Sequence, residues 1–136
     1  MKIIIKTSIV LFLLTTLNTK AQRSTNFKEF NVGLYLDELD ESMFVFPGAS
    51  FLWGKTTYIS DNFLLDYEYG IAFPTIITGK IGLGIGSSNN ALVIGIRPWP
   101  PSGYFQYIKQ EKHLFSIEAI PADHNPSIII NYGYRC

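Results

Sequence analysis

Residues 62–73 read NFLLDYEYGIAF and residues 77–86 read ITGKIGLGIG, and both stretches alternate between large apolar residues and small or polar ones. Successive side chains of a β-strand point to opposite faces of its sheet, so a period of two predicts strands. In the first stretch the odd-numbered positions are all aromatic or aliphatic, whereas the even-numbered positions include Asp66, Glu68 and Gly70. The two stretches, joined through Pro74, therefore predict neighbouring strands.

The same alternation recurs along the chain after residue 22, and no window there keeps apolar residues at helical spacing for three turns. The sequence therefore predicts an all-β chain with eight strands. Polar segments join strands at one end, and segments that are mostly punctuated by proline join them at the other, which is typical of an antiparallel up-and-down barrel. The predicted strands cover residues 30–36, 44–54, 62–73, 77–86, 91–97, 103–109, 114–120 and 127–135.

Length and composition exclude several classes of protein. A chain of 136 residues has room for one domain. Hydrophobic residues make up 47%, which excludes a disordered chain. Eleven basic residues balance eleven acidic ones, so the chain lacks the basic excess of a nucleic-acid binder. The single cysteine, Cys136, excludes an intramolecular disulfide.

The first 22 residues, MKIIIKTSIVLFLLTTLNTKAQ, have the pattern of a secretory signal. Lys2 and Lys6 precede an apolar run of about ten residues, and Ala21 offers a cleavage junction. The run is shorter than the roughly 20 residues that a membrane-spanning helix needs. We therefore expect a cleaved signal peptide over residues 1–21 and a single barrel domain over residues 22–136.

The two faces of the predicted strands differ sharply. One face is almost wholly Ile, Leu, Phe, Tyr and Val, which suits contact with lipid because a cation at the bilayer midplane costs roughly 2–4 kcal/mol. The other face is rich in glycine, and glycines on one strand leave room for long charged side chains on the next. We expect this face to line the lumen and to hold a charge network. Its members are three acids and three bases: Asp66, Glu68, Lys80, Arg97, Glu118 and Arg135.

The register of the strands makes two of these expectations specific. The turn near Pro74 places Glu68 opposite Lys80, and the next turn places Lys80 almost opposite Arg97. In a closed barrel with an even number of strands, the first and last strands pair antiparallel. We therefore expect Glu29 to approach Arg135.

The outward aromatic residues predict two girdles at the membrane–water interfaces, where an apolar ring and a polar tip are both satisfied. Trp53, Tyr107 and Tyr134 fall toward the end of the barrel that holds the termini. The residues assigned to the other end are Tyr69, Phe73 and Trp99.

Asn131–Cys136, which read NYGYRC, complete a pattern that resembles the small eight-stranded outer-membrane β-barrel proteins of Gram-negative bacteria. The resemblance covers most of residues 27–136 and concerns the architecture. Members of that family typically end in a strand with alternating aromatic residues, which Tyr132 and Tyr134 match. The resemblance implies a transmembrane barrel of the cell envelope, with outer-membrane lipid as its partner, acting as a monomer or as a subunit of an envelope complex.

Eight strands enclose an interior that side chains just fill, so we expect a porin-like fold without an open pore. A structural or docking role would then fall to the exposed loops, at residues 37–43, 98–102 and 121–126, through which a protein partner could bind. His113 and His124 have no ligand at metal-binding spacing. We expect no metal, no cofactor and no catalytic activity.

Two alternatives remain open from the sequence. The first is a soluble periplasmic β-barrel that buries its apolar face and binds an apolar ligand. The second comes from the resemblance, because some small outer-membrane barrels are lipid acyl hydrolases that use serine, histidine and an acid. In this chain the candidates would be Ser127, His124 and Glu118.

Overall fold

The computed structural model describes residues 23–39, 42–121 and 126–136, so the predicted signal segment lies outside the described residues. Within the described part, no helix is long and apolar enough to cross a membrane. The eight strands are β1 (Arg23–Leu39), β2 (Ser42–Tyr58), β3 (Phe63–Phe73), β4 (Ile76–Gly86), β5 (Asn90–Trp99), β6 (Ser102–Lys109), β7 (His113–Ile120) and β8 (Ser127–Arg135).

Each strand pairs antiparallel with the next, and β8 pairs with β1, so the sheet closes into a barrel. The prediction of an all-β, eight-stranded, antiparallel up-and-down barrel is confirmed. Glu29 lies directly opposite Arg135 at the seam between the first and last strands. We call the end that holds both chain termini the terminus end. The opposite end, which holds residues 74–75 and 100–101, is the loop end.

The hairpin of β1 and β2 is longer than the sequence predicted. Both strands have 17 residues, and their pairing is continuous from Arg23 and Tyr58 to Leu39 and Ser42. Most of the predicted loop at residues 37–43 is therefore strand, because backbone pairing continues where the apolar alternation fades. This hairpin extends past its neighbours at the loop end, since β8 pairs with β1 only as far as Leu36.

The other two predicted loops of the loop end also differ from the prediction or lie partly outside the described residues. The segment at residues 98–102 is shorter than predicted, because β5 runs to Trp99 and β6 begins at Ser102. Within the segment at residues 121–126, positions 122–125 lie outside the described residues. Every described strand runs in the predicted direction.

The inward side chains form three layers along the barrel axis. An apolar cluster fills the terminus end and consists of Tyr58, Leu64, Ala91, Val93, Tyr104, Ile108 and Leu114. In the part of the chain that the structure describes, seven buried charged side chains occupy the middle, and a cavity occupies the loop end. The interior is therefore filled at one end and in the middle.

Glycines give the bulky interior side chains the space they need. A Cβ at Gly82 would lie 2.5 Å from the hydroxyl oxygen of Tyr104 and 2.7 Å from Cγ1 of Val93. A Cβ at Gly95 would lie 2.8 Å from Cε1 of the same tyrosine. By contrast, Gly103 points outward, and a Cβ there would have no neighbouring atom within 4 Å. The glycine-rich inner face therefore makes room for Tyr104.

Candidate functional site in the barrel lumen

Arg135 is the centre of one half of the lumenal charge network. Its Nε donates to Glu29 Oε2 at 2.6 Å, and its Nη2 donates to Asp66 Oδ2 at 2.8 Å. Its Nη1 donates to Asp66 Oδ1 at 3.2 Å, which makes the Asp66 contact bidentate. The guanidinium carbon also lies 3.6 Å from the ring centroid of Phe27. Arg135 therefore joins β8 to β1 and β3 in the lumen.

Glu118 is the centre of the other half. Its Oε1 accepts from Arg97 Nη2 at 2.7 Å and from Asn131 Nδ2 at 3.1 Å, and it lies 3.2 Å from Lys80 Nζ. Its Oε2 accepts from the hydroxyl of Ser102 at 3.4 Å. Glu118 is fully buried, so these donors replace the water that it would otherwise bind.

Glu68 connects the two halves. Its Oε1 lies 3.5 Å from Lys80 Nζ, and its Oε2 lies 3.8 Å from Arg135 Nη2. Neither carboxylate oxygen has a hydrogen bond in the described part of the chain. Ion pairs thus run without a break from Asp66 through Arg135, Glu68 and Lys80 to Glu118 and Arg97.

The structure thus brings all six residues of the predicted network together, and adds Glu29 as a seventh. Glu68 and Lys80 are cross-strand partners, as the register predicted. Lys80 and Arg97 are not direct partners, because the pairing of β4 and β5 shifts between Gly79 and Ile81. They meet instead through Glu118. This irregularity has no signal in the sequence pattern.

Side-chain contacts close the terminus end of the lumen, on the far side of the apolar cluster from the ion pairs. Glu111, in the turn between β6 and β7, accepts from the hydroxyl of Tyr58 at 3.0 Å and from Arg23 Nη2 at 2.9 Å. Tyr58 and Arg23 belong to the β1–β2 hairpin, so these contacts tie that hairpin to the turn. The described lumen is therefore packed from this end to the middle of the barrel.

The loop end contains a cavity of about 480 Å³. Its walls are largely aromatic and aliphatic, with polar groups from Ser50 and Asn131. Arg97 is the only charged residue that lines it within the described part of the chain. Its Nε is buried and has no hydrogen-bond partner there. The sequence pattern does not predict this cavity, because the inward residues at the loop end are apolar and depart from the polar pattern of that face.

Five of the six predicted interface aromatics lie on the outer face, whereas the sixth, Phe73, lies at the loop end, where its ring packs near Phe46 and lines the cavity. Trp53, Tyr69, Phe73, Trp99 and Tyr134 are between 40% and 65% exposed. Tyr107 is half-buried, and its hydroxyl donates to Asn90 Oδ1 at 2.6 Å.

The depths of two of these aromatics differ from the prediction. The sequence predicts opposite ends for Trp53 and Tyr69, yet they are direct cross-strand partners with ring centroids 6.5 Å apart. The length of β2 explains this difference. At the loop end β2 continues beyond the last residue of β3, so the position of Trp53 within β2 does not give its depth in the barrel.

The candidate hydrolase residues do not form a described triad. Ser127 is buried, and its hydroxyl oxygen accepts from the hydroxyl of Tyr35 at 2.9 Å. Glu118 is engaged in the ion pairs above, and His124 lies outside the described residues. His113 lies on the outer face, with Nδ1 2.7 Å from the hydroxyl oxygen of Tyr132.

The described residues contain no group of three histidine, cysteine or acidic side chains that could hold a metal ion. In comparisons with known proteins, no family model, curated protein or solved structure matches the chain.

Proposed function

We propose that the protein is a small outer-membrane β-barrel with a filled, charge-networked lumen, and that it has a structural or partner-docking role at its loop end. The observation that carries this proposal is the exposure of large apolar side chains on all eight strands. Among the described residues, twenty-eight such side chains are exposed, including Leu83 at 61%, Ile94 at 69% and Ile117 at 55%. A soluble monomer rarely exposes a contiguous apolar surface of this extent.

The distribution of charge supports the same proposal. Seven charged side chains are buried in the lumen, whereas charged residues that point outward from the strands cluster at the terminus end of the described barrel. These are Lys28, Lys55 and Lys109, beside the aromatic residues of that end. Lysines near an interface can extend their ammonium groups toward lipid headgroups. The exposed apolar side chains between these lysines and the loop end, which we call the apolar belt and which include Leu83, Ile94 and Ile117, would then face the hydrocarbon.

The dimensions of the strands fit a membrane. β3, β4 and β5 have 10 or 11 residues, and a tilted strand needs about 9–11 residues to cross the hydrocarbon. β6 and β7 have eight residues each, one residue short of this range. On this proposal residues 1–21 are a signal peptide that directs the chain across the inner membrane.

The packed lumen indicates the kind of role. Ion pairs and the apolar cluster occupy its middle and its terminus end, so the barrel offers no open path for diffusion. The long β1–β2 hairpin and the turn at residues 100–101 stand at the loop end, where a partner could dock. The protein would act as a monomer or as a subunit of an envelope complex.

Membrane fractionation tests the proposal. We expect the protein to sediment with outer membranes after carbonate extraction. We also expect it to migrate differently on gels before and after boiling, because a closed barrel in detergent stays folded until heated. A protein that is recovered as a soluble periplasmic monomer would contradict the proposal. That result would favour the soluble ligand-binding barrel. Such a barrel would carry its apolar residues inward and its charges outward, which is the reverse of the arrangement described above.

A further inference from the structure

The loop-end cavity is a blind pocket. The ion pairs of Arg97, Lys80 and Glu118 lie below it, and the apolar cluster closes the barrel beyond them. Its volume of about 480 Å³ falls within the roughly 300–1,000 Å³ that is typical of small-molecule sites. The apolar part of its wall consists of Phe44, Phe46, Phe73, Pro74, Pro100 and Ile129.

Arg97 gives this pocket its polarity. The side chain is more than nine-tenths buried, and its Nη2 donates to Glu118 Oε1. Its Nε has no acceptor in the described part of the chain. Glu118 Oε1 already accepts from Asn131 and lies within ion-pair distance of Lys80, so it has little capacity for a further donor. The guanidinium of Arg97 therefore keeps donor capacity that its described partner Glu118 does not use, on a side chain that lines the cavity.

We infer that this cavity binds a single-chain amphiphile with a carboxylate head, such as a medium-chain fatty acid. The carboxylate would accept from Arg97, whose planar fork of donors matches two carboxylate oxygens. The hydrocarbon chain would lie along Phe46, Phe73 and Pro100, where burial of apolar surface is favourable. Arg97 is the only charge on the described lining, so the cavity favours an anionic head over a cationic one.

Equilibrium dialysis with radiolabelled decanoate tests this inference. The full chain is held in phosphatidylcholine nanodiscs, and empty nanodiscs give the blank. We expect saturable binding of decanoate above the blank. Arg97→Gln should weaken it by about tenfold or more, because a charge-assisted hydrogen bond is lost. Decanol should bind the native protein more weakly than decanoate does, and Arg97→Gln should change its affinity less than twofold.

Two further variants separate the site from general effects on the barrel. Arg23→Gln removes an exposed arginine at the terminus end and should leave decanoate binding unchanged. Ala72→Trp places a large side chain in the cavity without altering Arg97, and should abolish the binding of both probes. If Arg97→Gln does not fold, as judged by its mobility on unheated gels, Ala72→Trp decides the matter.

Three results would overturn the inference. They are no binding above the blank, equal affinity in Arg97→Gln and the native protein, or full binding in Ala72→Trp. None of them bears on the outer face of the barrel, so failure here is distinct from failure of the proposed membrane location.

Discussion

Arg135, at the end of β8, lies directly opposite Glu29 of β1, and its Nε donates to Glu29 Oε2 at 2.6 Å across the closing seam of the barrel. The two residues are 106 positions apart in the chain. Both are buried, and the same guanidinium binds Asp66 of β3 with two hydrogen bonds. A single side chain therefore connects the last strand to two strands of the first half of the chain.

Loss of Arg135 should destabilise the barrel strongly. Arg135→Gln leaves Glu29 and Asp66 buried without their cation, and the expected loss is about 3–5 kcal/mol of unfolding free energy. Arg135→Lys restores the charge but not the bidentate geometry, so it should recover only part of that loss. Urea unfolding in lipid vesicles measures the difference. A loss below about 0.5 kcal/mol for Arg135→Gln, the scale of an exposed pair, would show that the seam arginine faces water.

Glu68 and Lys80 should be coupled energetically. Each single change to alanine removes one of two counter-charges from its buried partner, leaving Lys80 with Glu118 alone or Glu68 with Arg135 alone, and should lower the unfolding free energy by about 3–5 kcal/mol. The double variant should lose less than the sum of the two, because no charge is then left unpaired between them. The exposed pair Arg23 and Glu111 is the matched control, whose coupling we expect at about 1 kcal/mol or less. Additive losses at Glu68 and Lys80 would refute their pairing.

An inward and an outward glycine should respond differently to the same substitution. Gly82→Ala forces Tyr104 or Val93 to move and should cost about 1–3 kcal/mol through overpacking. Gly103→Ala points into open space on the outer face and should change stability by less than about 0.5 kcal/mol. The same urea experiment measures both variants. Equal effects at the two positions would mean that the glycine-rich face is not the crowded one.

The fold class and the register of one hairpin could be predicted from the sequence because they depend on local patterns. Strict alternation marks β3 and β4, and the turn centred on Pro74, with Ala72 paired to Ile76, places Glu68 opposite Lys80. Closure of the barrel pairs β1 with β8, and this pairing brings Glu29 and Arg135 together on the inward face.

Other features could not be predicted because long-range pairing creates them. Residues at the start of β1 carry polar side chains on both faces, yet they pair with β2 throughout. The shift near Gly79 also depends on how β4 meets β5. The loop-end cavity could not be predicted because its inward residues break the polar pattern of that face. Phe46 and Ile129 are apolar, yet they lie on the same face as the charged residues.

A charge on the apolar belt should be tolerated only away from its middle. Ile94→Lys lies in the centre of β5 and should cost about 2–4 kcal/mol in a bilayer. Met43→Lys lies at the loop end of β2, is 75% exposed, and should cost about 0–1 kcal/mol. Unfolding in vesicles compares the two. If Ile94→Lys is as stable as Met43→Lys, the centre of the belt is in water.

Quenching of tryptophan fluorescence by brominated phosphatidylcholine tests most directly whether the outer face contacts lipid. The chain has two tryptophans, Trp53 and Trp99, and both are exposed on the outer face, at 40% and 65%. In vesicles we expect both to be quenched, and more strongly by bromines near the headgroups than by bromines deep in the acyl chains, since tryptophan favours the interface. Emission that no brominated lipid quenches would contradict the account.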